Sequence, residues 1–251
     1  MIPMLAPLFN GEWTAYGEAL ACAPQWPDGA IPVALLLQDA DSRLLEAIRL
    51  YAGHLGVDGD DLKAVASAWS LDYLGALLRP AAAAASVLQY SFPLRAADVA
   101  VSLNSVGTPV RFHIRHLGGA MPGSAPAARY GPLLEEHLAP LFTVINRQSR
   151  VPLRILWGNA ARHLDAILGQ ALALTGHAAH VAMDRELLLQ RPAWDDGRAN
   201  PLHGRQRRSM LADGGGATVI TLHRQCCLLY RLPGESWCGA CPLAPQHRKA
   251  R

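Results

Sequence analysis

Four cysteines near the C-terminal end are the residues in this chain best suited to chemistry. They are Cys226, Cys227, Cys238 and Cys241, and the fifth cysteine, Cys22, lies far from them in sequence. Four closely spaced thiolates are a usual ligand set for a soft metal centre, either a structural zinc ion or an iron–sulfur cluster. We interpret Cys22 as an ordinary buried or half-buried thiol.

The spacing of the four cysteines favours an iron–sulfur cluster over zinc. Cys226 and Cys227 are adjacent, whereas structural zinc ribbons commonly use two C-x-x-C pairs. Neighbouring residues in a strand point to opposite faces, so binding a single ion would require the backbone to leave the strand conformation. A 2Fe–2S cluster spreads its ligands over two iron atoms, which relaxes this demand.

Two alternatives stay open at this point. Structural zinc is one. The other is thiol–disulfide chemistry, either a vicinal disulfide or a redox-active C-x-x-C pair in "CGAC", although that motif belongs near the start of a helix in a βαβ unit, which the sequence does not indicate. Pro233 and Gly234 lie between the two cysteine pairs. They are turn residues, so we expect the chain to double back and bring Cys238 near Cys227.

The composition is that of a chain with a sizeable core. Of 251 residues, 51% are hydrophobic and 17% are charged, and the net charge of +3 is too small to indicate a nucleic-acid partner. The N-terminal segment lacks the pattern of a signal peptide, and the apolar run "RPAAAAASVLQYSF" is too short to cross a bilayer. We therefore expect a cytoplasmic protein with at most peripheral membrane contact, where clustered cysteines indicate metal binding.

Helical periodicity dominates the region between the first forty residues and the cysteines. Apolar residues at helical spacing predict helices in five segments, 39–56, 60–79, 133–149, 153–176 and 177–190. Asp41 or Ser42 is the expected cap of the first, and Gly56 its end. Pro80 is expected to end the second, so that the alanine run 81–85 opens a further helix. We expect the first forty residues, rich in Pro, Gly and Trp, to be irregular.

Strand patterns are fewer. Alternating residues on both sides of "NSVG" predict a hairpin over 99–119, with Arg111, His113 and Arg115 on one face of its second strand and Phe112 and Ile114 on the other. Segment 121–132 is interpreted as a loop, and the Gly run 214–216 as a flexible connection before a strand-like segment.

The predicted fold class is α+β, a mostly helical body with a small antiparallel β-sheet and a C-terminal cysteine-rich iron–sulfur segment. We predict a division into a body over residues 1–216 and a cluster-binding segment over 217–251.

The cysteine pattern C-C-x10-C-x2-C, which reads "CCLLYRLPGESWCGACP" here, resembles that of the FhuF-like siderophore-iron reductases. "LRILWGNAA" is similar to the family's W-G-N segment, and "NPLHG" to its N-P-L stretch. One departure is Gln225, where a small residue is common in the family, while the preceding Arg224 is retained. This departure leaves the cysteine set untouched.

The resemblance implies a 2Fe–2S cluster on Cys226, Cys227, Cys238 and Cys241. It also implies an oxidoreductase that reduces ferric siderophores by one electron in the cytoplasm and releases Fe(II). The implied partners are a ferric siderophore, for example of hydroxamate type, and an electron donor such as a ferredoxin or a flavin- or NAD(P)H-dependent reductase.

Basic residues are the expected docking groups for such an oxygen-rich complex. The candidates are Arg111, His113, Arg115, Arg205, Arg207, Arg208 and Arg224. His163, His177 and His180 are interpreted as structural. Two other functions remain open, a zinc-ribbon interaction protein and a 2Fe–2S electron carrier without a siderophore site of its own.

Overall fold

The computed structural model describes residues 1–38, 43–213 and 216–247 of the chain. Its architecture is α+β, as the sequence predicts. The described α-helices are α1 (Thr14–Glu18), α2 (Val33–Leu36), α3 (Arg43–His54), α4 (Lys63–Ala82), α5 (Pro126–Leu133), α6 (Ala139–Ser149), α7 (Leu153–Leu174) and α8 (Ala179–Leu189). The described strands are β1 (Leu20–Cys22), β2 (Ile31–Pro32), β3 (Tyr90–Ser91), β4 (Val99–Leu103), β5 (Pro109–Ile114), β6 (Gly119–Ala120), β7 (Gln206–Asp213) and β8 (Gly216–His223).

Helix α4 runs through the centre of the core. Apolar and small residues lie on nearly all of its faces, and it packs against α3, α7 and β5. Trp69 and Tyr73 are fully buried, and the Trp69 indole N–H donates to the Gly107 carbonyl over 2.8 Å. Gly107 has φ +80°, and a side chain there would collide with the Ala47 carbonyl oxygen. The hairpin turn between β4 and β5 is thereby held against α3 and α4.

The predicted helix boundary at Pro80 is wrong. Helix α4 passes through Pro80 and continues into a π-helical segment, Ala83–Val87, so the alanine run prolongs this helix and does not open a new one. Pro80 and the alanines behind it are buried, and the π-helical segment packs against α7 and α8. The stabilisation from burying this segment outweighs the cost of the backbone hydrogen bond that the proline removes. Helix propensity alone does not reveal such burial.

The loop predicted over 121–132 is partly helical. Helix α5 begins at Pro126, where a missing N–H costs nothing in the first turn, and it leads through a π-helical segment, Leu134–Leu138, into α6. The helix predicted over 133–149 buries five large apolar side chains: Leu134, Leu138, Leu141, Phe142 and Ile145.

The main sheet has the strand order β1-β5-β4-β2. The predicted hairpin is confirmed, since β4 and β5 pair antiparallel and Phe112 and Ile114 are fully buried. Strand β1, however, pairs parallel with β5, so the sheet is mixed and not antiparallel throughout. The difference arises because the segment expected to be irregular contributes two short strands to the edges.

A second hairpin precedes the cysteines. Strands β7 and β8 pair antiparallel over their full lengths, and only the second of them was indicated by the sequence. The predicted division at 216/217 falls at the tip of this hairpin and stays a prediction. Gly214, Gly215, the expected caps Asp41 and Ser42, and the tail 248–251 lie outside the described residues. No helix of the described ranges is long and apolar enough to cross a membrane.

Candidate metal centre

The adjacent cysteines lie where the chain leaves the β7–β8 hairpin. Strand β8 ends at His223, and Cys226 and Cys227 follow in an irregular segment. Leu228 then adopts a left-handed conformation, with φ +67°. The backbone therefore departs from strand geometry at the adjacent pair, as its use in one metal centre requires.

The second pair folds back onto the first. The chain turns at Gly234, with φ +75°, and the Cys241 N–H donates to the Cys238 carbonyl over 2.9 Å. The Ala240 carbonyl accepts a hydrogen bond from the His223 N–H over 2.9 Å, which fixes the C-x-x-C turn to the end of β8. The doubling back predicted from the Pro-Gly pair is confirmed.

The thiols of the two pairs are close together. The Sγ atoms of Cys226 and Cys241 are 3.5 Å apart, and the Leu228 N–H donates to the Cys226 Sγ over 3.3 Å. Cys226, Cys227 and Cys241 are buried, Cys238 is half-buried, and all four are free thiols. The stacked rings of Tyr230 and Trp237, 3.7 Å between centroids, pack against this cluster.

The chemistry of the donor set fits a 2Fe–2S cluster. The four donors are all free cysteines, in two sequence pairs that the fold brings together at Cys226 and Cys241. Cysteine thiolates are the usual ligands of such a cluster.

Helix α7 supplies a positive charge beside the cysteines. Arg162 donates to the Gln225 carbonyl over 3.2 Å and contacts the Cys227 thiol. A hydrogen bond between the adjacent thiols raises the pKa of Cys226 and lowers the pKa of Cys227. The Arg162 charge lowers the pKa of Cys227 further, so the thiolate form required of a ligand is favoured there.

A cavity of about 620 Å³ opens beside the cysteines, and Cys227 and Cys238 form part of its wall. Helices α1, α4 and α7 and strands β5 and β8 contribute further residues to the wall. Its polar and titratable side chains other than the cysteines include Tyr16, Asp72, Arg79, Arg162, His163 and His223. The volume is in the range of small-molecule sites, so a compact ligand would lie against two of the four cysteines.

Two known protein-family models match this chain. Residues 67–217 match the family described as "Ferric iron reductase FhuF-like transporter", and residues 224–243 match the "FhuF 2Fe-2S C-terminal domain". The chain belongs to the FhuF-like family. Membership confirms the expected oxidoreductase family and the 2Fe–2S cofactor, whereas the assignment of the four ligands stays a prediction.

The chain is also similar to a curated protein, the ferric siderophore reductase of Escherichia coli (strain K12). It is 24% identical to the chain over 183 residues, which cover 72% of this chain and 66% of the relative. The chain thus spans just under two thirds of that protein's length.

Two solved structures share the fold. The aerobactin synthetase IucA from a hypervirulent pathotype of Klebsiella pneumoniae has a TM-score of 0.53 and 17% identity, covering 70% of this chain and 38% of the synthetase. Its ATP-bound form has a TM-score of 0.50 and 18% identity, covering 70% and 37%. At these identities the likeness concerns the fold alone.

The W-G-N segment of this FhuF-like chain, Trp157–Asn159 in α7, lies against Gln225, the residue before the adjacent cysteines. Trp157 packs edge-on against Phe142, with 4.9 Å between ring centroids. Gly158 faces the Gln225 side chain, which would lie 3.5 Å from a Cβ at that position. Asn159 is fully buried and donates to both Ser67 and Ser70 of α4. Asn159 thus joins α7 to α4.

The N-P-L stretch serves the end of helix α8. The Asn200 amide donates to the carbonyls of Leu188 and Arg191, each over 2.9 Å, and its side-chain oxygen accepts from the Leu202 N–H. The Pro201 carbonyl accepts two hydrogen bonds from the Arg205 guanidinium. The guanidinium group of Arg205, an expected docking residue, is therefore hydrogen-bonded to a backbone carbonyl of the same segment.

The hairpin candidates for docking lie outside the cavity wall. Arg111 is exposed, and the Arg115 guanidinium lies over the Trp26 ring at 4.8 Å from its centroid. His113 is buried, its Nε2 is 2.8 Å from the Ser102 hydroxyl, and burial and the Arg111 charge lower its pKa. His113 is therefore a buried histidine with a hydrogen-bond partner, and its role in docking stays a prediction.

The candidates near the second hairpin also lie apart from the cysteine cavity. Arg207 and Arg208 border a separate cleft of about 550 Å³ together with Arg185 and Glu186. Arg224 is exposed and donates to the Gln206 carbonyl over 3.2 Å. Their role in docking stays a prediction, and the structure does not bring them to the wall that contains Cys227 and Cys238.

Sequence reasoning missed the arginine and histidine side chains that line the cavity. Arg162 and His163 follow the W-G-N segment by one helical turn, and this spacing was a usable signal, because residues four apart share a helix face. His163, interpreted as structural, lies in the cavity wall. Arg79 reaches the wall from the end of α4, and no local pattern indicates it.

Proposed function

We propose that this protein is a cytoplasmic ferric-siderophore reductase that transfers one electron to the bound Fe(III) complex. The observation that supports it best is the cavity beside Cys227 and Cys238 in a chain of the FhuF-like family. A ligand in this cavity lies next to the cysteines, whereas a bare electron carrier has no need of such a space. The name of the Escherichia coli relative, a ferric siderophore reductase, agrees with this proposal.

The proposed cluster ligands are Cys226, Cys227, Cys238 and Cys241. When bound, a 2Fe–2S cluster supplies one electron at a time. The chain positions the ligands by the left-handed turn at Leu228 and by the hydrogen bond from His223 to the C-x-x-C turn. The stacked Tyr230 and Trp237 rings pack against the buried Cys226 and Cys241.

The proposed reaction needs no general acid or base. The chelate takes one electron, its Fe(III) becomes Fe(II), and the hard oxygen donors hold the ferrous ion less tightly. The cavity wall binds the chelate and holds it against Cys227 and Cys238. The electron is replaced by a donor of the ferredoxin or flavin- and NAD(P)H-dependent class.

Spectroscopy and iron release test the proposal. We expect anaerobically purified protein to be red-brown, with visible absorption that dithionite bleaches. Mixed in its reduced form with a ferric trihydroxamate and a ferrous-specific chromogenic chelator, it should release iron in proportion to the cluster oxidised. A colourless protein with stoichiometric zinc would contradict the proposal, and a stable reduced spectrum in the presence of ferric chelate would indicate an electron carrier.

The ligand set is tested by Cys227→Ser, with Cys22→Ser as the matched control. We expect Cys227→Ser to lose the cluster or change its absorption and EPR spectra, because an alkoxide replaces a thiolate at the metal. Cys22 lies in β1, half-buried and remote in sequence from the four cysteines. Its replacement should leave both spectra unchanged, and identical spectra for both variants would refute this ligand assignment.

A further inference from the structure

The cavity beside the cysteines contains two guanidinium groups without carboxylate partners. Arg79 donates to the Gly75 carbonyl over 3.0 Å and lies over the Tyr16 ring, 3.9 Å from its centroid. Arg162 donates to the carbonyls of Gly158 and Gln225. Among the described residues, neither arginine forms an ion pair.

Other arginines of the chain show that this arrangement is not general. Arg129 is paired with Asp184, Arg185 with Asp165, and Arg198 with Asp196. Arg79 and Arg162 instead line a concave, partly apolar space, where low-dielectric walls strengthen their positive potential.

One carboxylate faces the same space. Asp72 lines the cavity and accepts a hydrogen bond from the Tyr51 hydroxyl over 2.7 Å. The two histidines of the wall add no charge at neutral pH, since burial and the Arg162 charge lower the pKa of His163 and His223 to about 4. Apart from the cysteines, the cavity wall therefore carries two guanidinium cations and one carboxylate.

One ring nitrogen of His163 is buried without a hydrogen-bond partner among the described residues. The ring is hydrogen-bonded to the Leu71 backbone, and the nitrogen concerned is Nε2. Unpaired buried polar atoms are uncommon in folded proteins and are costly unless a ligand or water satisfies them. In a neutral imidazole this nitrogen accepts a hydrogen bond, which suits a ligand hydroxyl or amide N–H.

We propose that the cavity selects ferric chelates with net negative charge, specifically those with free carboxylates, through Arg79 and Arg162. This inference rests on the proposed function. A carboxylate-bearing chelate would pair with the two guanidinium groups, whereas a neutral trihydroxamate of equal size offers them no charged partner. The position of both arginines in the wall that contains Cys227 and Cys238 places the selected chelate beside the cysteines.

Gallium(III) complexes test selectivity without electron transfer, because Ga(III) has the charge of Fe(III) but is not reduced. We would titrate the holoprotein with the Ga(III) complex of an anionic citrate-derived dihydroxamate and with that of a neutral cyclic trihydroxamate, and measure binding by calorimetry. We expect the anionic complex to bind at least about tenfold more tightly, and this preference to fall as salt is raised.

Variants of Arg79 link the preference to the cavity, since Arg79 does not contact the cysteines. Arg79→Gln should remove most of the preference for the anionic complex, and Arg79→Lys should retain part of it because the charge remains. Arg154→Gln, an exposed position of α7 outside the cavity wall, is the matched control and should keep wild-type affinities. If Arg79→Gln fails to fold, Arg79→Lys and the salt dependence of the wild type decide the question.

The outcomes separate this inference from the proposed function. Equal affinity for the two gallium complexes, or an anionic preference that survives Arg79→Gln, would overturn selection by charge even if the protein reduces both ferric complexes. A clear anionic preference in a protein that reduces neither ferric complex would support the selective cavity and refute the reductase.

Discussion

Arg162 is the residue that joins the helical body most directly to the cysteine segment. Its guanidinium holds the Gln225 carbonyl and lies beside the Cys227 thiol, and it has no carboxylate partner among the described residues. A fixed positive charge beside a redox centre stabilises its reduced form more than its oxidised form, because the reduced form carries one more negative charge. Arg162 should therefore raise the reduction potential of the proposed cluster.

We expect Arg162→Gln to make the midpoint potential more negative by several tens of millivolts, on the scale of about 59 mV per tenfold change for a one-electron couple. Arg162→Lys should shift it less, because the charge is kept while the planar guanidinium hydrogen bonds are lost. The measurement is a redox titration followed by visible absorption. An unchanged potential in Arg162→Gln, equal to that of the Arg154→Gln control, would contradict this role.

At the scale of elements, helices α4 and α7 form the framework of the site. They cross where the Asn159 amide donates to the Ser67 and Ser70 hydroxyls, over 3.1 and 2.9 Å. Beyond this contact, α4 brings Arg79 and α7 brings Arg162 to one cavity. The buried amide thus fixes the relative position of two cationic side chains that are far apart in sequence.

A second polar contact fixes α5 to α8. The Arg129 Nη2 donates to both carboxylate oxygens of Asp184, over 2.6 and 2.7 Å, and both side chains are almost completely buried. The Ser86 hydroxyl of the π-helical segment also donates to Asp184, over 2.7 Å. Three elements therefore depend on one carboxylate.

Removing the Asp184 carboxylate should strongly destabilise the folded protein. We expect Asp184→Ala to lower the free energy of unfolding by about 3–5 kcal/mol, because the buried Arg129 charge loses its partner. The control is Asp195→Ala, which breaks the exposed Arg191–Asp195 pair and should cost less than about 1 kcal/mol. Urea unfolding followed by circular dichroism measures both, and similar losses for the two variants would refute the distinction between buried and exposed pairs.

At the scale of the whole molecule, burial of neutral histidine couples stability to pH. His137 is fully buried, its Nε2 lies 2.5 Å from the Tyr73 hydroxyl, and its Nδ1 lies 2.9 Å from the Leu94 carbonyl. Burial lowers its pKa to about 4, against about 6.5 in an unfolded chain. As the pH falls below about 6.5, the unfolded state binds the proton first, so the folded state loses stability down to about pH 4.

We expect this histidine alone to remove roughly 2 kcal/mol of stability between pH 7 and pH 5, at about 1.4 kcal/mol for each pKa unit crossed. His137→Gln should flatten the pH dependence by that amount, whatever its effect on stability at pH 7. The exposed His116→Gln is the control and should keep the wild-type slope. Denaturant unfolding at several pH values measures the slopes, and equal slopes in the two variants would disprove the assignment.

The features that were predictable from sequence depend on neighbours within one segment. The cysteine pattern indicated a soft metal centre because ligand type and spacing are local properties. Helical periodicity located α3, α6, α7 and α8, and alternation located the β4–β5 hairpin, because both patterns report which face of a segment is buried. The reversal at Gly234 likewise follows from local turn chemistry.

Tertiary structure alone decided the rest, because the relevant contacts join residues distant in sequence. Continuation of α4 through Pro80 depends on burial against α7 and α8, and the parallel pairing of β1 depends on a partner about ninety residues away. The cavity is the clearest case. Arg79 and Arg162 acquire a shared site only when α4 packs on α7, since charge in a concave wall is a property of the assembled fold and not of either segment.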